Sequence, residues 1–187
     1  MSFTQAMIVG ASGKTAETTD ANEIKVYSPL GIHRASLLGD AYAWTAVSAN
    51  IDTTDCMILV ANTSTSRLLV ISHCVFQGDI VGTMTFKLSN VTGLTLAGTA
   101  IVGVNLNTSS AKVAPASAWG DETASPATTV IYTHSQSLPY AGVVGIMNRH
   151  NFDDSIIVGY NGAFGIDTIL EPAAGYQATV FGYYVDA

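Results

Sequence analysis

Charged residues are scarce in this sequence. Only 11% of its 187 residues are Asp, Glu, Lys or Arg, whereas ordinary soluble domains contain about 25%. Hydrophobic residues make up 48% of the chain, so a monomer of this size has few charges with which to cover its surface. We therefore expect part of the surface to be buried against other chains, as in an obligate oligomer or a large assembly.

Basic residues are rarer still. The chain has seven Lys and Arg in total, and its net charge is −7. The seven are scattered along the sequence, whereas proteins that bind nucleic acids gather basic side chains opposite the phosphates. Direct binding to DNA or RNA is therefore not expected.

Long apolar runs are also missing. No stretch approaches the roughly 18 apolar residues that a membrane-spanning helix needs. The N-terminal stretch carries no charge before Lys14 and only a short apolar patch, which does not fit a secretory signal. We expect neither a membrane span nor secretion.

Cysteine is limited to Cys56 and Cys74. Each lies in an apolar, strand-like run, and neither belongs to a C-x-x-C pair. Two interpretations remain open, buried free thiols or a disulfide between neighbouring strands. Free thiols would fit folding in a reducing cytoplasm.

The patterns that are present have the period of β-strands. No stretch shows a 3.6-residue period over about eleven or more positions, while segments rich in Val, Ile, Thr, Tyr and Phe alternate between turn signals. Short strands of this kind with little helix indicate an all-β sandwich or a barrel-like fold. The runs CMILVA and LLVI are apolar at odd and even positions alike, and these positions face opposite sides of a sheet. This pattern predicts central strands that are covered on both faces. The predicted strands are 22–28, 41–49, 55–63, 67–77, 82–91, 98–107, 128–137, 154–161, 164–170 and 176–187.

Strand-like segments become closely spaced only after residue 40, and this change sets the predicted domain boundary. Residues 1–40 are thinly apolar and are interpreted as an N-terminal arm or lead-in, and residues 41–187 as one sandwich domain. Residues 112–127 and 137–154 are the longest irregular stretches. Loops of that length are usually functional or packed against a partner.

One motif suggests a nucleotide enzyme. Gly13, Lys14 and Thr15 supply the end of a phosphate-binding loop, G-x-x-x-x-G-K-[ST], but Ile8 stands where the first glycine belongs. Such a loop also feeds directly into a helix, whose N-terminus contributes to the phosphate site. No amphipathic helix follows here, so the segment is predicted to be a turn between strands.

One stretch of the sequence brings candidate metal ligands together. NRHNFDD at 148–154 brings His150, Asp153 and Asp154 together, but Asp-Asp beside Asn is also common in turns, and no second ligand cluster has metal spacing. His73 and His134 lie in strand-like runs, where a hydrogen-bonded structural role is favoured, and His33 lies in the lead-in with no obvious partner. We expect no metal or cofactor.

Catalytic signatures are likewise not found. There is no G-x-S-x-G elbow, and neither cysteine has the flanking residues of a nucleophile. A pair of carboxylates for glycoside hydrolysis stays open, because their separation is a three-dimensional quantity. In WGDET at 119–123, Trp119 could hold a sugar or pack on a neighbouring subunit. No residue is assigned a catalytic, cofactor-binding or metal-binding role, and the chain is not expected to be an enzyme.

The overall pattern resembles virion structural proteins of tailed bacteriophages. The resemblance covers most of the chain but consists of turn and strand signatures. It is carried by SGKTAETTDANEIKVYS (12–28), GDAYAWTAVSANIDTTDCMILVANTSTSRLLVISHCVF (39–76), GTAIVGVNLNTSSAKVAPASAWGDET (98–123) and ATVFGYYVDA (178–187).

This resemblance implies a jelly-roll β-sandwich assembled as a homotrimer. The implied role is capsid decoration, or cement: binding to the major capsid protein on the outside of the head, after assembly in the host cytoplasm. The N-terminal arm would lie along the capsid. The resemblance transfers no binding residue to this sequence.

Two other functions remain open. A tail, baseplate or fibre component could present the loops around Trp119 or Tyr140 to a host-surface sugar. An enzyme on a sandwich scaffold, such as a depolymerase, would need a carboxylate pair in a cleft.

Overall fold

The computed structural model describes most of the chain. The described residues are 8–9, 15–18, 24–27, 31–48, 56–78, 84–122, 129–134, 148–168 and 176–187. They form β-strands apart from one helix, α1, at Gly31–Leu38.

The first three strands make a small sheet of their own. β1 (Ile8–Val9), β2 (Thr15–Thr18) and β3 (Ile24–Tyr27) pair in that order, both pairs being antiparallel. The sequence pattern does not predict α1, because eight residues are too few to establish a helical period.

The rest of the chain forms two antiparallel sheets packed face to face, which confirms the predicted all-β sandwich. One sheet has the order β11-β7-β13-β5-β10-β8 and the other the order β12-β6-β14-β4-β9. The strand bounds are β4 Ala41–Ser48, β5 Cys56–Asn62, β6 Arg67–Gly78, β7 Met84–Asn90, β8 Thr99–Ile101, β9 Val104–Asn105, β10 Ala116–Glu122, β11 Thr129–His134, β12 Asn148–Val158, β13 Gly162–Thr168 and β14 Tyr176–Asp186.

The strand order is that of a jelly roll. The first half of the sandwich pairs with the second half in reverse order: β4 with β14, β5 with β13, β6 with β12, and β7 with β11. Successive strands of the first half alternate between the two sheets. This arrangement is a long hairpin folded over on itself, the double Greek key of jelly rolls. The strands β8, β9 and β10 extend one side of both sheets.

The core lies between the two sheets. Its largest fully buried side chains include Trp44, Tyr42, Phe76, Phe86 and Phe164. Buried side chains alternate with less buried ones along β10 and along most of β14. Burying each large apolar side chain of the core stabilises the fold by roughly 1.5–3 kcal/mol.

β5 is buried along its whole length, as its doubly apolar sequence predicts. Ile58 and Val60 point into the core, while Leu59 and Ala61 form a second cluster on the outer face of the sheet. The partly buried side chains of Val91, Leu96 and Trp119 cover that cluster. β6 is covered differently, because α1 packs over Val70 on its outer face.

Two strands correct the sequence analysis. Residues 116–122, predicted as part of a long loop, form β10, and residues 148–153, predicted as irregular, form the first half of β12. A bulge explains the second error, since the register of β12 against β6 shifts between Asn151 and Ile156 and breaks the alternation. The small residues of β10 explain the first, because ASAWGDE has few residues that favour strands.

Candidate interaction surface

Large apolar side chains are exposed along one edge of the sandwich. Val47, Val102, Val104 and Val113 are 73%, 80%, 65% and 78% exposed, and we call these four residues the valine edge. β8 is the last strand of one sheet and β9 the last strand of the other. The chain therefore crosses from sheet to sheet between Ile101 and Val104.

Glycine permits this crossing to lie close to the core. A Cβ atom added at Gly103 would come within 2.5 Å of Trp44 Nε1 and 2.9 Å of Ala114 Cβ. Because the backbone is held against Trp44, the neighbouring side chains of Val102 and Val104 project away from the core.

Two shallow grooves flank Val102. One, of about 440 Å³, has Thr45 and Val47 on one side and Val102 and Val104 on the other. The second, of about 220 Å³, is lined by Val102, Val113 and Trp119 among others. Among the described residues, Asp121 is the single charged residue lining either groove. The valine edge is thus a mainly apolar surface in a chain of net charge −7.

The apolar surface extends to the end of α1. The segment that follows β9 binds the last carbonyl groups of the helix: Asn107 Nδ2 donates to Leu37 O at 3.3 Å and Lys112 Nζ to Leu38 O at 3.0 Å. These contacts satisfy acceptors that a helix C-terminus leaves free. Among the described residues, seven of the eleven exposed large hydrophobic side chains lie at 37–47 or 102–113, namely Leu37, Leu38, Val47, Val102, Val104, Leu106 and Val113.

Asp40 joins the helix to the sandwich below this surface. Its carboxylate accepts from Arg67 Nη1 at 2.9 Å and from Lys112 Nζ at 3.0 Å, and its side chain is 11% exposed. Burial alone would raise the pKa of Asp40, but the hydrogen bonds and charges of Arg67 and Lys112 outweigh it and hold the pKa below its usual value. Asp40, Arg67 and Lys112 are called the Asp40 cluster.

The phosphate-loop motif is not followed by a helix. Thr15 begins a strand, β2, and is paired with Val9 of β1. Both neighbours of the motif are therefore antiparallel strands, as the turn interpretation requires, while Gly13 and Lys14 lie outside the described residues.

The candidate metal ligands are dispersed over the bulge in β12. The His150 ring stacks on Phe86 with ring centroids 4.8 Å apart, whereas Asp153 is exposed and bonded to Asn151. Asp154 accepts a hydrogen bond from Tyr183, and burial followed by the Asp154 charge raises the pKa of Tyr183 to about 12. Over the part of the chain that the structure describes, no three His, Cys, Asp or Glu side chains are grouped to hold a metal ion.

Among the other histidines, His73 lies half-buried on the outer face of the five-stranded sheet. Its ring stacks on Phe181 at 4.4 Å and its Nδ1 lies 3.4 Å from Ser72 Oγ. Burial, with the charge of Arg149, lowers the pKa of His73, while Asp154 opposes this. The structural role predicted for His73 fits these contacts. His33 is exposed on α1, and the His134 side chain lies outside the described residues.

Trp119 and its acidic neighbour hold the chain's own segments together. Trp119 packs against the Leu59 cluster of the same chain. Glu122 is fully buried and accepts from the backbone N–H groups of Ala97 at 3.1 Å and Gly98 at 2.7 Å. Trp119 therefore lies in a strand and not in a long loop, and Tyr140 lies outside the described residues.

Both cysteines are free and buried, which settles the choice between the two interpretations in favour of thiols. They lie in opposite sheets, Cys56 on β5 and Cys74 on β6. Burial raises the pKa of the Cys74 thiol to about 12, so it is unreactive in the folded protein.

No family model, curated protein or solved structure matches the chain. Its relation to phage virion proteins stays a prediction from sequence resemblance. Among the helices described, none has the length and apolar character needed to cross a membrane.

The sequence pattern does not predict the valine edge. Val102 and Val104 lie in the predicted strand 98–107, alternating with Gly103 and Asn105. That alternation is the only signal for an apolar face, and it looks the same whether the face is covered or exposed. Only the position of β8 and β9 at the ends of their sheets makes the face external.

Proposed function

We propose that this chain is a structural virion protein, a trimeric capsid decoration protein that binds the outer surface of the major capsid lattice and stabilises the head. The valine edge carries the proposal. A jelly roll whose apolar edge has one acidic residue, Asp121, beside it is suited to burying that edge against other chains, and the sequence resemblance supplies the phage context.

Copies of an acidic chain associate most favourably through surfaces that carry little charge. Each copy has a net charge of −7, so copies repel one another wherever acidic surfaces approach. The grooves beside Val102 have one acidic residue between them. Burial of exposed valines there contributes about 25 cal/mol per Å² of apolar area with little desolvation of charge.

A decoration protein stabilises the head by mass action. Binding to the assembled lattice and not to its dissociated subunits contributes RT ln(1 + [L]/Kd) per site, about 2.7 kcal/mol at a hundredfold excess over Kd. Repeated over a lattice, this resists internal DNA pressure without a chemical step.

The decisive experiment is to measure the copy number of the protein in purified particles. Mass spectrometry of the particles should give a fixed number of copies of this protein per copy of the major capsid protein. That number should correspond to a whole number of trimers at each binding position on the capsid. A few copies per particle would contradict the decoration role and favour a tail, baseplate or fibre component. Absence from the particle would contradict both and return attention to an enzyme.

A second experiment tests the surface itself. The double variant Val102→Asp/Val104→Asp places charge in the valine edge and should convert the trimer to a monomer in analytical ultracentrifugation. The control Ile157→Asp changes a side chain that is 56% exposed on the opposite edge strand, β12, and should stay trimeric. If the double variant folds and remains trimeric, the valine edge is not the subunit interface.

A further inference from the structure

A cleft of about 400 Å³ lies beside α1, away from the valine edge. α1 packs on the sandwich through Ala35, which contacts Val70 and Tyr183 on the outer face of the sheet. The cleft opens next to this contact, between the helix and the last residues of β14. Its volume falls within the roughly 300–1,000 Å³ typical of small-molecule sites.

Arg34 is the first group that points to a ligand. It lies on α1, lines the cleft and is half-buried. Within the described residues, no hydrogen bond or ion pair involves its guanidinium. A half-buried guanidinium with no counter-charge loses hydration without compensation, so binding of an anion there is favourable.

Arg67 lines the same cleft and brings a second positive charge to it. Its Nη1 donates to Asp40 at 2.9 Å and its Nη2 to Tyr184 O at 3.3 Å. Its guanidinium carbon lies 5.4 Å from the centre of the Tyr184 ring, which holds the group in place. Arg67 Nε is buried and has no hydrogen-bond partner.

The cleft also offers acceptors at its rim. Asp186 is 98% exposed, and its Oδ1 lies 3.7 Å from Arg67 Nε, too far for a hydrogen bond. Leu38 and Val185 add apolar wall. A ligand that fits these groups has an anionic end for the arginines, hydroxyl groups for Asp186 and an apolar ring face.

We propose that the cleft binds a carboxylate-bearing saccharide unit, such as a uronic acid. The planar carboxylate pairs with Arg34, since guanidinium matches carboxylate geometry. The ring hydroxyls donate to Asp186. An acidic peptide has the anion but lacks those hydroxyls, and its further carboxylates would be repelled by Asp186 and by a chain of net charge −7.

The test uses saturation-transfer NMR and calorimetry on the whole protein with glucuronate as the probe. Glucose lacks the carboxylate and acetate lacks the ring. Saturable glucuronate binding that exceeds both is the expected result. Equal binding of acetate and glucuronate would overturn the saccharide assignment, and no binding of glucuronate would overturn the site.

Variants then locate the binding. Arg34→Gln should weaken glucuronate binding roughly tenfold or more, because charge-assisted hydrogen bonds are the strong ones. Arg34→Lys should retain part of the glucuronate binding, because lysine keeps the positive charge but lacks the planar, forked guanidinium. The control Arg149→Gln removes an exposed arginine of β12 that does not line the cleft, and its binding should be unchanged. Equal losses in the Gln variants of Arg34 and Arg149 would mean that net charge alone attracts the probe.

The folding of each variant is checked independently. Arg34 has no partner to lose, so Arg34→Gln should keep the thermal midpoint of the wild-type protein. This inference does not depend on the oligomeric state or the copy number of the protein. Glucuronate binding can therefore be lost in Arg34→Gln while the trimer is intact, and kept in Val102→Asp/Val104→Asp while the trimer is lost.

Discussion

Three buried carboxylates show how this chain uses its few charges. Asp40, Glu122 and Asp167 are 8%, 0% and 6% exposed, although only 11% of all residues are charged. Each is matched with donors: Asp40 with two cations, Glu122 with two backbone amides and Asp167 with Lys87. Burying a charge without such a partner costs several kcal/mol.

The Asp40 cluster predicts a specific pH dependence. The pKa of Asp40 is lower in the folded than in the unfolded protein, so the unfolded state binds more protons in acid. The stability that Asp40 contributes is therefore present above about pH 4 and is lost as the pH falls through the folded pKa. Asp40→Asn should lower the free energy of unfolding at pH 7 by about 1–3 kcal/mol and flatten its dependence on pH in this range.

Chemical denaturation from about pH 2 to about pH 7, a range that spans the fall through the folded pKa, measures the effect. The control is Asp186→Asn, which removes a 98% exposed carboxylate near the same arginine. It should change stability little. If both variants keep the wild-type pH profile, the Asp40 cluster does not carry the acid sensitivity.

Glu122 predicts a local effect. Its two accepted hydrogen bonds hold Ala97 and Gly98 across the end of β10, and the adjoining side chains of Val91 and Leu96 cover the outer face of β5. Glu122→Gln replaces one carboxylate oxygen, which accepts a hydrogen bond, by an NH₂ group that can only donate and that would face a backbone N–H group. The backbone amide hydrogens of residues 91–98 should therefore exchange with solvent faster. Hydrogen-exchange mass spectrometry measures this, and Thr95→Ala, at an exposed position of the same segment, should leave the exchange unchanged.

At the scale of elements, β12 is a long edge strand that carries its own protection. Among the described strands it pairs with β6 alone, and its register shifts where Asp153 and Asp154 adopt positive φ values of 50° and 58°. A bulge with charged residues interrupts the row of free backbone groups that would otherwise recruit another strand. The residues that suggested a metal site therefore shape the edge of the sheet.

The same bulge lies beside the first residue of α1. A Cβ atom added at Gly31, the first residue of the helix, would collide with the Tyr183 hydroxyl and lie 3.0 Å from Asp154 Oδ2. The helix begins without an acidic residue in its first turn, so the Asp154 carboxylate supplies negative charge near its N-terminus.

This contact predicts that Gly31→Ala loosens the helix. The added methyl group displaces Tyr183 or the first turn of α1 and should destabilise the protein by roughly 1–3 kcal/mol. Urea denaturation measures the change. His33→Ala, at an exposed position of the same helix, should have little effect. Because alanine favours helix more than glycine does, a Gly31→Ala protein as stable as the wild type or more stable would contradict the clash.

At the scale of the whole molecule, the core needs no covalent link. Cys56 and Cys74 are both buried thiols that are not joined in a disulfide. The thermal midpoint should therefore be the same with and without a reducing agent. A maleimide should label neither cysteine in the native protein and both in denaturant. A midpoint that falls in reductant would contradict the free thiols.

Much of the fold could be predicted from local pattern. The alternation around Tyr42 and Trp44 predicts β4, and the doubly apolar CMILVA predicts a central strand. β10 and the first half of β12 could not be predicted in this way, because small residues or a bulge hide the period of two. The candidate site could not be predicted, since neither Val102 nor Arg34 has a sequence signal for exposure or partners.

The sequence by itself determined the strand-rich sandwich, the buried cysteines and the shortage of surface charge, because composition and period act over neighbouring residues. The tertiary structure decided which strands are neighbours: Thr45 pairs with Thr179, and residues this far apart carry no local signal of their pairing. It also decided that β8 and β9 end their sheets and that Arg34 and Arg67 line one cleft. The exposure of a side chain depends on what the rest of the chain places over it, and that is set only when the strands have been ordered.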